Sequence, residues 1–114
     1  MITLYGIPNC DTCRKARKWL DGKGIAHRFH DFRKDGLDTA TVEAWAAELG
    51  LEVLVNRRGT TWRGLAEADK ARLDSAPAAL LTEAPTLLKR PVIDLGERRL
   101  VGFDAAVQAA LEAL

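Results

Sequence analysis

Cys10 and Cys13 are separated by Asp11 and Thr12, a C-x-x-C spacing that puts two thiols within one helical turn and within reach of each other. Thiols so placed can exchange disulfides, one attacking as thiolate and the other, or an outside thiol, resolving the intermediate. The pair stands where the turn residues Gly6-Ile7-Pro8-Asn9 give way to a helical segment, so Cys10 falls at a helix start. There the first backbone N–H groups lack partners and the helix dipole is positive, and both effects favour thiolate over thiol. Arg14, Lys15, Arg17 and Lys18 add positive charge, and Asp11 offsets part of it. Cys10 is therefore read as a nucleophile, resolved by Cys13 or by an external thiol.

Two other groups of residues could do chemistry. Cys10, Cys13, His27 and His30 approach a zinc pattern, but the histidine spacing is short of the usual three to five intervening residues. His27 and His30 also lie on an expected strand, where an odd separation sends side chains to opposite faces, so they are read as surface histidines and no metal is expected. Basic residues gather at Arg57-Arg58 with Arg63, at Lys89-Arg90 and at Arg98-Arg99. Arginine suits two-pronged capture of an oxyanion or carboxylate. Arg90, immediately before Pro91 and a strand, is the one read as functional, and Arg98-Arg99 are read as solvated charge.

The elements that must position these groups follow from periodicity. Residues 2–5 read as a strand, and Cys13, Ala16 and Leu20 mark the apolar stripe of a helix stopped by Gly22 and Gly24. Residues 25–32 read as a second strand, completing a βαβ unit whose strands should run parallel. Asp38 or Thr39 can cap a helix carrying Val42, Trp45, Ala46 and Leu49. Residues 51–60 end in a basic loop, and helical pieces are expected at 62–73 and 77–84. Pro91–Leu95 and Arg98–Gly102 read as a hairpin, and Asp104 caps a last helix with Val107, Ala110, Leu111 and Leu114 on one face. A βαβ half completed by a ββα half is a thioredoxin-like α/β sheet. The core is expected at about 1–36 and 85–114, with a helical insert at about 37–84, all in one domain.

Composition agrees. The chain has 114 residues, 47% hydrophobic and 29% charged, enough for one packed core. Its 17 Lys plus Arg against 16 Asp plus Glu argue against nucleic-acid binding by bulk charge. No apolar run reaches the ~18–20 residues of a membrane helix. The opening Met1-Ile2-Thr3-Leu4-Tyr5 is not a secretory leader, so a cytoplasmic protein without a structural disulfide is expected.

Several blocks of sequence occur in a familiar order. They are Leu4–Thr12, Lys15–Leu20, Arg28–Asp31, Asp35–Asp38, Asn56–Arg63 and Lys89-Arg90-Pro91. In this the chain resembles the arsenate reductase (ArsC-like) family, and within it the small YffB-type proteins. The resemblance implies a thioredoxin-like fold with a helical insert. It implies that Cys10 matches the cysteine that attacks arsenate in the family's reductases, with glutathione and glutaredoxin completing the reduction. It further implies that Arg90 binds the oxyanion, that the Arg90–Pro91 bond is cis, and that a second ligand arginine is Arg57 or Arg58, with Arg58 favoured. Asn9 and Pro91 fall beside these residues in the matching blocks and join the expected ligand-binding set.

Two positions depart from the reductases. A third arginine of theirs falls at Gly102, and the histidine four residues before their cysteine is Gly6 here. YffB-type proteins share both departures, and the resemblance to them implies a glutathione-dependent thiol reductase, with the arginines receiving glutathione carboxylates in place of arsenate. Glutathione is thus the expected co-substrate, glutaredoxin a possible partner, and no bound cofactor is expected. The alternative is set by Spx, a member of the family that binds RNA polymerase and senses oxidation through a C-x-x-C at this place. Cys13, Leu88–Pro91 and Leu100-Val101-Gly102 are similar to it, whereas Gly59–Arg63 match the YffB type more closely.

Overall fold

A computed structural model describes residues 1–114 and divides them into two compact units, Met1–Asp35 with Arg90–Leu114, and Gly36–Lys89. The first unit is built on four strands, β1 (Ile2–Gly6), β2 (His27–Asp31), β3 (Val92–Asp94) and β4 (Arg99–Val101), in the order β2-β1-β3-β4. β1 runs parallel to β2, as a βαβ unit requires, and antiparallel to β3, which pairs antiparallel with β4. This is a mixed α/β sheet of thioredoxin-like type.

Helix α1 (Asp11–Gly22) crosses from β1 to β2 and buries Cys13, Ala16 and Leu20 along the stripe expected from their spacing. It ends at Lys23, where Gly24 takes a φ of +68°. The C-terminal helix of this unit (Ala105–Glu112) starts at Asp104, whose carboxylate accepts from the Val107 N–H at 2.9 Å. Val107 and Leu111 from that helix join Ile2, Leu4, Ala16, Leu20 and Ile93 in one apolar cluster. Trp19, Phe29, Leu100 and Phe103 pack around it, and Trp19 meets Phe103 edge-on at 5.5 Å.

The second unit is helical. Its helices are α2 (Thr39–Leu49), α3 (Leu51–Leu54), α4 (Thr60–Arg63), α5 (Glu67–Ser75) and α6 (Pro77–Glu83), followed by one 3-10 turn at Pro85–Leu87. In chain order the helix at Ala105–Glu112 is therefore α7. Of the two candidate caps Asp38 is the one that acts, accepting from the Thr41 N–H at 2.8 Å. Val42 and Trp45 of α2, Leu73 of α5 and Leu80 and Leu81 of α6 are buried where α6 packs on α2 and α5. In the same unit Val55 pairs with Leu88, through Asn56 N–H to Leu87 O and Lys89 N–H to Leu54 O, both 2.8 Å.

Several expectations need correction. The helix read at 62–73 is two helices, because Gly64 ends α4, the Leu65 N–H turns back onto Trp62 O, and extended Ala66 restarts the chain ahead of the acidic first turn of α5. Residues 51–54, read as leading into a loop, form the short helix α3 after Gly50 takes a φ of +82°. The strand read at 25–32 begins only at His27, since Ile25 is held by its N–H on Leu20 O. Leu114 is not on the buried face of α7; it lies past the helix end and is 64% exposed. No helix is long and apolar enough to cross a membrane.

Candidate active site

β1 ends at Gly6, a turn follows, and Cys10 is the residue that opens α1. Its backbone is extended, with φ −138° and ψ 120°, while its C=O already accepts the first helical bond from Arg14 N–H at 2.9 Å. No oxygen-bearing side chain caps α1, and the Cys13 N–H of its first turn donates to the Cys10 sulfur. The loop chemistry therefore delivers the thiol to the electropositive end of a 12-residue helix. Asp11 offsets part of the local positive charge, as expected, by pairing with Arg14.

The two thiols are driven in opposite directions. Burial, the largest influence on Cys10, opposes its charge; the Cys13 N–H, the Arg90 guanidinium and the Cys13 thiol all donate to its sulfur and together bring it below the ordinary thiol value. Burial dominates at Cys13 as well and, with the neighbouring Cys10, pushes it up to about 12 against the opposing influence of the Ile7 N–H and the Arg90 charge. Both cysteines are free, Cys10 partly exposed and Cys13 fully buried. One sulfur is thus biased toward the thiolate and its neighbour toward the thiol that donates to it.

Arg90 reaches this place from the segment before β3. The Arg90–Pro91 peptide bond is cis, and buried Pro91 accepts from the Gly102 N–H at 2.8 Å. Gly102 has a φ of +82°, so the position where the resemblance places a third arginine holds backbone that a side chain rarely adopts. Asn9 is exposed in the turn between β1 and α1.

Of the expected site residues, then, Cys13 and Arg90 both reach the Cys10 sulfur, with Pro91 and Asn9 adjoining them in sequence. Arg58 belongs to the second unit, where its N–H donates to Asn56 Oδ1. There Arg57, Arg58 and Lys89 line a cavity of about 460 Å³ with Glu52, Val55 and Asn56, and the Arg57 guanidinium lies over the Trp62 ring. His27 bonds Ile25 O through Nδ1 and His30 packs against Tyr5. No group of three or more Cys, His, Asp or Glu gathers as metal ligands. The feature that sequence reasoning missed is Gly6: the sequence presents it only as a lost histidine, whereas a Cβ there would meet Cys13 Sγ at 2.5 Å.

Comparison with known proteins places this arrangement. The ArsC family model matches residues 5–111. An uncharacterised protein of Haemophilus influenzae is 50% identical over 105 residues, covering 91% of this chain and 92% of its own. The global transcriptional regulator Spx of Streptococcus agalactiae is 32% identical over 106 residues, covering 91% and 77%. Among solved structures, a YFFB protein is 48% identical with a TM-score of 0.89, covering 96% of this chain and 97% of its own. An arsenate reductase (ArsC) related protein from Brucella melitensis is 42% identical with a TM-score of 0.77, covering 99% and 95%. With a thioredoxin-like sheet, a cysteine opening its first helix and a match over nearly its whole length, the chain belongs to the ArsC family.

Proposed function

We propose that this protein is an oxidoreductase, and specifically a glutathione-dependent thiol–disulfide reductase whose nucleophile is Cys10. The observation that carries the reading is the Cys10 sulfur at the open end of α1, receiving hydrogen bonds from Cys13 and Arg90. In the first step the Cys10 thiolate attacks the glutathione sulfur of a mixed disulfide. A Cys10–glutathione disulfide forms, the original S–S bond breaks, and the substrate leaves as a thiolate that takes a proton from solvent. A second glutathione thiolate then attacks the glutathione sulfur, giving oxidised glutathione and restoring the Cys10 thiolate. Alternatively Cys13 gives up its proton and attacks Cys10, expelling glutathione thiolate; the resulting Cys10–Cys13 disulfide is reduced by two further glutathiones or by glutaredoxin.

Arg90 is suited to a carboxylate or other anionic group of the ligand as well as to the thiolate. Arg58 is proposed as a carboxylate-receiving residue of the second unit, with Asn9 and Pro91 completing the ligand surface beside Cys10. Arsenate fits less well, because Gly102 and Gly6 remove two positive side chains that the resemblance associates with it. The test is turnover of a glutathione mixed disulfide, run beside arsenate, for the wild type and Cys10→Ser. Turnover of the mixed disulfide that falls to the uncatalysed rate in Cys10→Ser is expected; full turnover in that variant would overturn the mechanism.

A second reading is favoured by the likeness to Spx and by two free cysteines in a C-x-x-C. It makes the protein a redox-sensing regulator that binds RNA polymerase. Tight binding to purified RNA polymerase, with no glutathione-linked turnover, would put this reading in place of the first.

A further inference from the structure

Gly6 closes β1 in a backbone conformation that any residue could adopt, since its φ lies outside the left-handed region. What the position cannot take is a side chain. A Cβ there would stand 2.5 Å from Cys13 Sγ, far inside contact. Its next neighbours, Cys13 Cβ at 3.6 Å and Phe29 Cε1 at 3.7 Å, are at ordinary packing distance. The Cys13 sulfur is therefore the one atom in conflict with a side chain at position 6.

That sulfur is fully buried, receives the Ile7 N–H, and donates to Cys10. Its location is bounded by Gly6 and Ile7 on the side of β1 and by Cys10 on the side of α1. We propose that Gly6 is a positioning residue for the nucleophile: by carrying no side chain, it leaves the space in which the Cys13 thiol lies to donate to the Cys10 sulfur. The inference rests on the reading of Cys10 as nucleophile. Any Cβ at position 6 drives the Cys13 side chain into another staggered well and breaks that bond, while the Cys13 N–H and Arg90 keep theirs. It also accounts for the missing histidine, because a histidine at this position and the Cys13 thiol in its present place exclude one another.

The experiment is the alkylation rate of Cys10 against pH, followed by peptide mass mapping, in the wild type, Gly6→Ala, Cys13→Ala and Gly6→Ala/Cys13→Ala. Losing one hydrogen bond to a charged sulfur raises the midpoint by about one pH unit. Gly6→Ala and Cys13→Ala are each expected to show that rise. The double variant should match Cys13→Ala alone, because both changes remove the same bond and the added methyl group meets only ordinary contacts once the sulfur is gone. A wild-type profile in Gly6→Ala, or a shift that adds in full to that of Cys13→Ala, would overturn the proposal. If Gly6→Ala does not fold, the double variant against Cys13→Ala decides alone, equal midpoints supporting the proposal and a further rise overturning it. An ordinary thiol midpoint in the wild type would remove the nucleophile reading and the proposal together. A low midpoint unmoved by Gly6→Ala would remove only the proposal.

Discussion

At Cys10 the burial that opposes charge is outweighed by donors from Cys13 and Arg90, whereas at Cys13 burial prevails. Arg90→Gln removes a hydrogen bond and a positive charge from the first sulfur, so the pH midpoint for Cys10 alkylation should rise toward that of a free thiol, by about one unit or more. Cys13, buried, should resist alkylation by an external reagent until the protein is unfolded. The sign for stability follows from the direction. Because the folded value of Cys10 is lowered, folding gains from its ionisation at higher pH, and that gain is lost as pH falls through the folded value. Arg90→Gln should shrink this dependence, measurable by denaturant unfolding at a series of pH values from the ordinary thiol range downward. The C-x-x-C was legible in the sequence because a helix start can be read from turn residues and periodicity. The meaning of Gly6 was not, since a sequence shows which side chain is absent and never which atom fills the space.

Among the elements, α1 and α7 were readable because each couples a 3.6-residue apolar stripe to a recognisable start. Asp104→Ala removes the cap of an eight-residue helix whose Val107 and Leu111 enter the core. Loss of roughly 0.5–2 kcal/mol in denaturant unfolding is expected, with the Cys10 alkylation profile unchanged. The stretch from 51 to 75 was the least legible. Its helices α3 and α4 have four residues each, too short to display a period, and they are held by pairings such as Val55 with Leu88 and Thr61 with Thr86 that join distant parts of the sequence. The hairpin was read in the right place but too long, because Leu95 N–H already closes onto Arg98 O and leaves three residues in each strand.

At the scale of the molecule, one unit is continuous in sequence and the other is assembled from both ends of the chain. The assembled unit has a single apolar cluster, in which Ile93 of β3 joins Ile2 and Leu4 of β1. Ile93 is fully buried, and Ile93→Ala should cost about 2–5 kcal/mol by denaturant unfolding. The fold class was legible because alternating and helical patterns identify elements; which strands pair was harder to read, since the partners of β1 lie 25 residues away in one case and about 90 in the other. This order of assembly has a consequence during synthesis. β1, α1 and Cys10 leave the ribosome early, but Arg90 and β3 must wait for the whole of residues 36–89, a delay of several seconds at about 5–20 residues per second. Until then the thiol lacks the arginine that helps to ionise it and the strand that completes the sheet beneath it. Cys10 thus gains its full nucleophilic setting only when the last quarter of the chain has been made.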